Sequence, residues 1–233
     1  MFIEWRNSYE KKLTIIIPIC FLILLGIVFA VYQKSATHKI PTPTDVLSQS
    51  EIDRLREQYP INDADPPTVD LIPASLEQWI GICGCFVEVE VLEEPTEFVK
   101  TVTIAYNTPE GALHEKAGGL QQFDFVKCKV RILDVAYGQI TQDTIDLTYN
   151  SMFDIGMPDM EVGSKFIVGG TYNKDTESIG IDYDMMYYVT DDDYILSVRS
   201  EESKSRHTGI KVDDFFEYLK SVKKELKGEA IFD

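Results

Sequence analysis

The chain opens with a long stretch in which no residue is charged. Residues 13–32 read LTIIIPICFLILLGIVFAVY, and a helix of that length is about 30 Å long, which matches the hydrocarbon core of a bilayer. Helices in a soluble core are usually polar along one side, whereas this run is apolar all round. The pattern predicts a single transmembrane helix over 13–32, preceded by a cytoplasmic tail over 1–12.

A cleaved signal peptide is the main alternative interpretation of this run. Its apolar region is usually about 7–15 residues long and ends at small residues. Here the run is longer and ends in FAVY at 29–32, and the nearest small residues are SAT at 35–37. This length favours a retained anchor.

The pattern after residue 32 is polar and rich in proline. Residues 33–72 are predicted to form a linker, because this composition cannot bury a core. A short helix is expected over 48–59, since Ser48 and Glu51 have the spacing of a capping box and Pro60 follows.

Beyond the linker the apolar positions recur with period two, as in half-buried strands. A break in this alternation near Val126 predicts a bulge, and Gly169 with Gly170 predicts a bend. A helical stripe over 213–227 predicts one C-terminal helix. The predicted strands cover 86–92, 98–106, 123–137, 144–149, 165–172, 185–190 and 194–199.

These elements predict a mainly β domain over 73–228, built as a small barrel or sandwich with a C-terminal packed α-helix. The segments VKCKVRILDVAYG at 126–138, TIDLTYN at 144–150 and MEVGSKFIVGGTYN at 160–173 resemble the middle of bacterial OB-fold domains of the netrin-like kind. The later DDYILSV at 192–198, followed by the helix, resembles their ends. The resemblance implies an OB-like or netrin-like barrel.

Cys83-Gly84-Cys85 is similar to the Cys-x-Cys with which tissue inhibitors of metalloproteases begin, in the same netrin-like family. In that family the free amine of the first cysteine binds the zinc of the protease. Here Cys83 lies deep in the chain and has no free amine. The resemblance therefore does not imply inhibitor activity.

Charge narrows the classes of partner. The chain has a formal net charge of −17, and an acidic domain is repelled by nucleic-acid phosphates and by anionic lipid headgroups. Nucleic-acid binding is not expected. The basic residues before the apolar run slightly outnumber those just after it, which favours an N-terminus inside the cell. We expect a single-pass protein of the cell membrane with its bulk extracytoplasmic.

Three cysteines lie outside the apolar run, at Cys83, Cys85 and Cys128. In an oxidising compartment a bridge from Cys83 or Cys85 to Cys128 is one expectation, and three free buried thiols are the other. A redox pair formed by Cys83 and Cys85 is a third, although Cys-x-x-Cys is the usual motif.

Two further groups are candidate sites. Calcium prefers several oxygen ligands close together, so the acidic run is a candidate calcium site, formed by Asp182, Asp184, Asp191, Asp192 and Asp193. Because OB barrels often bind ligands on strands and loops, Tyr187 and Tyr188 are candidates for a binding face.

The sequence has no phosphate-binding loop, dinucleotide fingerprint or nucleophile elbow. The expectation is a non-catalytic, membrane-anchored domain that binds a protein or peptide at the cell envelope, with no cofactor. A thiol-disulfide redox protein and a structural subunit of an envelope complex are the alternatives.

Overall fold

The computed structural model describes residues 43–63, 75–103, 120–151, 156–200 and 207–229. The chain divides into two units, 1–40 and 41–233, and the fold described here belongs to the second. The predicted tail and anchor lie outside the described residues. Within the part that is described, no helix has the length and apolar character needed to cross a membrane.

The described residues form a mainly β fold with a C-terminal helix, as the sequence predicts. The helices are α1 (Gln49–Leu55), α2 (Leu76–Ile82) and α3 (Val212–Glu229). The strands are β1 (Cys85–Val91), β2 (Thr96–Thr103), β3 (Leu120–Tyr137), β4 (Thr144–Asn150), β5 (Lys165–Asn173), β6 (Ser178–Val189) and β7 (Ile195–Ser197).

The capping box predicted for α1 is present. The backbone N–H of Ser48 donates to Oε2 of Glu51 over 2.8 Å, which satisfies an orphan donor at the helix start. The helix ends at Leu55 and a turn continues the chain to Tyr59, so α1 is shorter than the predicted 48–59.

The strand pairings close on themselves. β1 pairs antiparallel with both β3 and β5, and β3–β4 and β5–β6 are also antiparallel. A parallel pairing of β4 with β6 completes the circuit. β2 extends the sheet beyond β3, and β7 pairs with β6.

The predicted bulge lies elsewhere on β3. Val126 pairs in unbroken register with Glu97 on β2 and with Tyr149 on β4. The irregularities occur instead between β1 and the later half of β3, where the register shifts after Phe86 and after Glu88. The predicted bend at Gly169 and Gly170 coincides with a register shift between β5 and β6.

Two hydrophobic cores lie on the two faces of the sheet. In β1 the odd-numbered residues from Cys85 to Val91 belong to one core, whereas Phe86 belongs to the other. The second core is closed by the two helices α2 and α3, which contribute Leu76, Ile80 and Phe215. The strict alternation of β1 thus places apolar side chains on both faces.

Helix α3 packs against the second face through an aromatic cluster. The ring of Phe215 is fully buried, with centroids 4.8 Å from Tyr187 and 6.3 Å from Tyr218. The hydroxyl of Tyr218 donates to Oε1 of Glu77 on α2 over 2.6 Å. His207 covers this cluster, with its ring centroid 4.2 Å from that of Tyr218.

We expect the stability of the domain to fall as the pH drops below about 6.5, the usual pKa of histidine. Burial lowers the pKa of His207 in the folded state, against the attraction of the Glu77 carboxylate. Between the lowered pKa and about 6.5 the unfolded chain binds a proton that the folded chain does not, so acid favours unfolding. His207→Phe keeps an aromatic ring and removes the titration.

The measurement is chemical denaturation of wild type and His207→Phe at several pH values between 8 and 5 (about one unit apart). Burial also raises the pKa of Glu88, and that contribution has the opposite sign and is common to both proteins. The difference between the two proteins isolates the histidine. If the stabilities of the two proteins change with pH in parallel, His207 is not the cause of the acid destabilisation.

Candidate functional site

Two adjoining cavities lie where β1 ends and β5 begins. They have volumes of about 580 Å³ and about 530 Å³ and share Asp191. We call the two together the acidic cleft. Its walls are α1 with the following turn, the segment 159–164 before β5, and the turn between β6 and β7.

Helix α1 is fixed over the sheet by contacts at both of its sides. Ile52 is buried in the first core. Nη1 of Arg56, directly after the helix, donates to the carbonyl oxygen of Ser197 on β7 over 2.8 Å. The wall that α1 contributes to the cleft is therefore tied to the strands, although α1 alone is too short to be stable.

The opposite wall is a tight turn. The N–H of Asp193 donates to the carbonyl oxygen of Thr190 over 2.9 Å, and the N–H of Tyr194 donates to Oγ1 of Thr190 over 3.0 Å. Asp193 has a φ of 59°, a left-handed conformation that aspartate adopts more readily than most residues. This turn holds three successive carboxylates at the rim.

The floor of the cleft is aromatic. The Tyr188 ring centroid lies 5.5 Å from that of Tyr59 and 5.5 Å from that of Phe166. Burial raises the pKa of Tyr188 to about 12. Burial, together with the charges of Asp191 and Asp192, also raises the pKa of Tyr59. Both phenols are therefore neutral at physiological pH.

Carboxylates outnumber cations around the cleft. The acidic residues are Glu51, Glu57, Asp159, Glu161, Asp191, Asp192 and Asp193, and the basic ones are Arg54, Lys165 and Lys211. Lys211 is engaged, since Nζ donates to the Asp192 carbonyl oxygen over 2.7 Å and lies 3.7 Å from the Tyr194 ring centroid. The cleft therefore attracts positive charge.

The structure separates Asp184 from the other described members of the predicted calcium site, Asp191, Asp192 and Asp193. Asp184 forms an ion pair with Arg199, with 3.2 Å between Oδ1 and Nε. It lies on β6, seven residues before Asp191, which is about 23 Å along a strand. Asp182 has a side chain outside those described. Across the described residues no group of three or more acidic, histidine or cysteine side chains is placed to hold a metal ion.

The structure places the two binding-face candidates, Tyr187 and Tyr188, differently. The Tyr187 ring is fully buried in the second core, against Phe215 of α3. Tyr188 is on the other face of β6 and is only 7% exposed, yet its ring lines the acidic cleft. Alternation along the strand sends these two neighbours to different cores.

The expected bridge to Cys128 is not formed, and Cys83, Cys85 and Cys128 are all buried and outside any disulfide. Cys85 pairs in register with Gly170 at the start of β1, whereas Val130, two residues after Cys128, pairs with Val91 at the end of β1. The two ends are about 20 Å apart along the strand. A disulfide needs Cα atoms within about 7 Å.

The environment of Cys83 and Cys85 also differs from that of a redox-active pair of cysteines. Cys83 and Cys85 belong to different cores. Burial raises the pKa of Cys85 and of Cys128 to about 11. Reactive cysteines have a lowered pKa, because the thiolate is the nucleophile.

No protein-family model matches the chain, and no curated protein matches it in sequence. Of the acidic cleft, the sequence indicated only Asp191–Asp193 and Tyr188. Glu57, Asp159 and Glu161 were missed. The signal available for them was the strong negative charge of the whole chain, which does not say which carboxylates converge.

Proposed function

We propose that the domain is an OB-type barrel. An OB-fold is a five-stranded, partly open Greek-key barrel. The circuit of pairings through β1, β3, β4, β6 and β5 supports this, with β4 and β6 parallel and the other neighbours antiparallel. The first core, on the face opposite α2 and α3, would then fill the barrel interior.

We propose further that the protein is a single-pass, extracytoplasmic binding domain whose acidic cleft takes up a cationic segment of a protein or peptide partner. The observation that carries the proposal is that carboxylates outnumber cations around a cleft whose floor is formed by aromatic rings. Lysine and arginine pair with carboxylates, and their cationic groups also stack on tyrosine rings. The cleft has the size of a small-ligand site, which suits a few side chains of an extended peptide.

The two alternative functions, a thiol-disulfide redox protein and a structural subunit of an envelope complex, have less support. Burial and separation of the thiols weigh against thiol-disulfide exchange. A structural subunit of an envelope complex would need a permanent partner. Crosslinking in intact membranes separates this from reversible peptide binding, because a permanent partner is recovered in a fixed ratio.

A peptide titration tests the proposal. The full chain in uncharged detergent is titrated with a short Lys- and Arg-rich peptide, with an Asp- and Glu-rich peptide as comparison. We expect the cationic peptide alone to bind, and its affinity to fall as salt is raised, since the attraction is screened. The triple variant Asp159→Asn, Glu161→Gln, Asp191→Asn should weaken binding about tenfold or more.

The matched control is Glu97→Gln with Asp124→Asn and Glu177→Gln, three exposed positions that do not line the acidic cleft. It removes the same amount of charge without changing the cleft walls, so it should leave the affinity within about twofold, because charges at a distance are screened. Equal loss in the two triple variants would mean that net charge, and not the cleft, attracts the peptide.

A further inference from the structure

A third cavity, lined by basic residues, lies at the other end of the same sheet. Its volume is about 400 Å³, and its lining includes Tyr137, Thr171, Tyr172, Lys174, Lys223 and Lys227. We call it the basic pocket. It is built where β1 begins, β3 and β5 end, and the C-terminal half of α3 passes over them. Along β5, Tyr172 is about 23 Å from Lys165 at the acidic cleft.

Lys223 is a fixed charge at the wall of the basic pocket. Its Nζ donates to the carbonyl oxygens of Ile80, Gly81 and Cys83, over 2.7, 3.1 and 2.9 Å. It also lies 4.9 Å from the ring centroid of Tyr137. These contacts use all three donors and tie α3 to the end of α2. They are made to carbonyl oxygens, and no carboxylate of the described residues forms an ion pair with the ammonium group.

The other two lysines are exposed and point to a ligand of negative charge. Lys174 and Lys227 form no ion pair with any of the described residues, and none of the residues lining the basic pocket is acidic. The nearby charge of Lys227 contributes to lowering the pKa of Lys223, after burial. Among the described residues, three lysines therefore line one pocket without an acidic partner, in a chain of net charge −17.

We propose that the basic pocket binds a multivalent oxyanion, the group presented by phosphate-bearing and polycarboxylate small molecules. Lys174 and Lys227 would bind the anion directly, and Lys223 adds a fixed positive charge. Charge-assisted hydrogen bonds from ammonium groups to such oxygens are among the stronger polar contacts in proteins. The volume of about 400 Å³ is within the range of small-molecule sites.

Calorimetric titration of the full chain in uncharged detergent tests this. Pyrophosphate and citrate are the two probes, with chloride at matched ionic strength as reference. We expect saturable binding of at least one of them, and the double variant Lys174→Gln, Lys227→Gln should bind about tenfold more weakly or worse. Binding of pyrophosphate alone indicates phosphate chemistry, and binding of citrate alone indicates carboxylates.

The matched control is Lys220→Gln with Lys224→Gln, which removes two exposed charges from the same helix outside the basic pocket. This variant changes the net charge as much as the Lys174→Gln, Lys227→Gln variant does. It leaves the lining of the basic pocket intact, so it should bind the probes within about twofold of wild type. No saturable binding of either probe, or equal weakening in the two double variants, would overturn the proposal. Neither result bears on the acidic cleft, whose peptide test uses other residues.

Discussion

Gly170→Ala is expected to destabilise the domain strongly. A Cβ at this position would lie 2.7 Å from Cγ2 of Ile179 and closer still to the carbonyl oxygen of Gly180. Gly170 pairs with Cys85 on one side and with Ile181 on the other, so neither neighbouring backbone can withdraw without breaking its own pairing. We expect a loss of about 3 kcal/mol or more, a large part of the stability of a typical domain.

Denaturation of the full chain in detergent, followed by circular dichroism, measures the loss. The matched control is Gly81→Ala in α2, where the new Cβ would be 3.6 Å from a leucine side chain, an ordinary contact. Alanine favours a helix over glycine by about 1 kcal/mol, so this change should be neutral or stabilising. If both variants unfold at the wild-type midpoint, the close approach of β5 to β6 is not as described.

The strands were largely predictable, because apolar and polar residues alternate along a half-buried strand. β3 is the strand in which this alternation is interrupted. Phe123 and Phe125 are odd-numbered, whereas the apolar residues from Val126 to Ile132 are even-numbered. In the first half Phe125 pairs with Phe98 across to β2, with ring centroids 5.8 Å apart, and later Cys128 and Val130 face the first core. The buried face changes while the register with β2 and β4 stays intact.

β6 was recognised only over its second half. Its first residues, SIGIDYD at 178–184, alternate between apolar and polar, but glycine and aspartates are uncommon in strands and hid the pattern. The parallel pairing with β4 begins in this segment, from Ser178 to Gly180. Local propensity cannot reveal a partner that lies more than thirty residues earlier in the chain.

The acidic cleft was less predictable than the fold, because its residues come from segments that are distant in the sequence. Glu57, Asp159 and Asp191 meet at the acidic cleft only because α1, the segment before β5 and the β6–β7 turn are brought together by the sheet. Each is an unremarkable acidic residue in its own segment. The choice between a bridge to Cys128 and free buried thiols was open for the same reason, since the spacing along the chain does not show that Cys85 and Cys128 lie near opposite ends of the β1–β3 pairing.

Phe215→Ala is expected to cost about 3–5 kcal/mol, the range measured for removal of a buried aromatic ring. The side chain is fully buried and is the centre of the cluster that joins α3 to the sheet, with His207, Tyr187 and Tyr218 around it. Its loss leaves a cavity that the rigid rings cannot close. The measurement is again the denaturation midpoint of the full chain, with the slope of the transition.

Phe98→Ala is the matched control, because it removes the same ring from a half-buried position on β2. That strand extends the sheet outside the closed circuit of pairings, so its loss should be about 1 kcal/mol. Equal losses would mean that α3 contributes no more to stability than an edge strand does. Since α3 also carries Lys223 and Lys227, a Phe215→Ala protein that remains folded should additionally bind oxyanions more weakly, whereas Phe98→Ala should not.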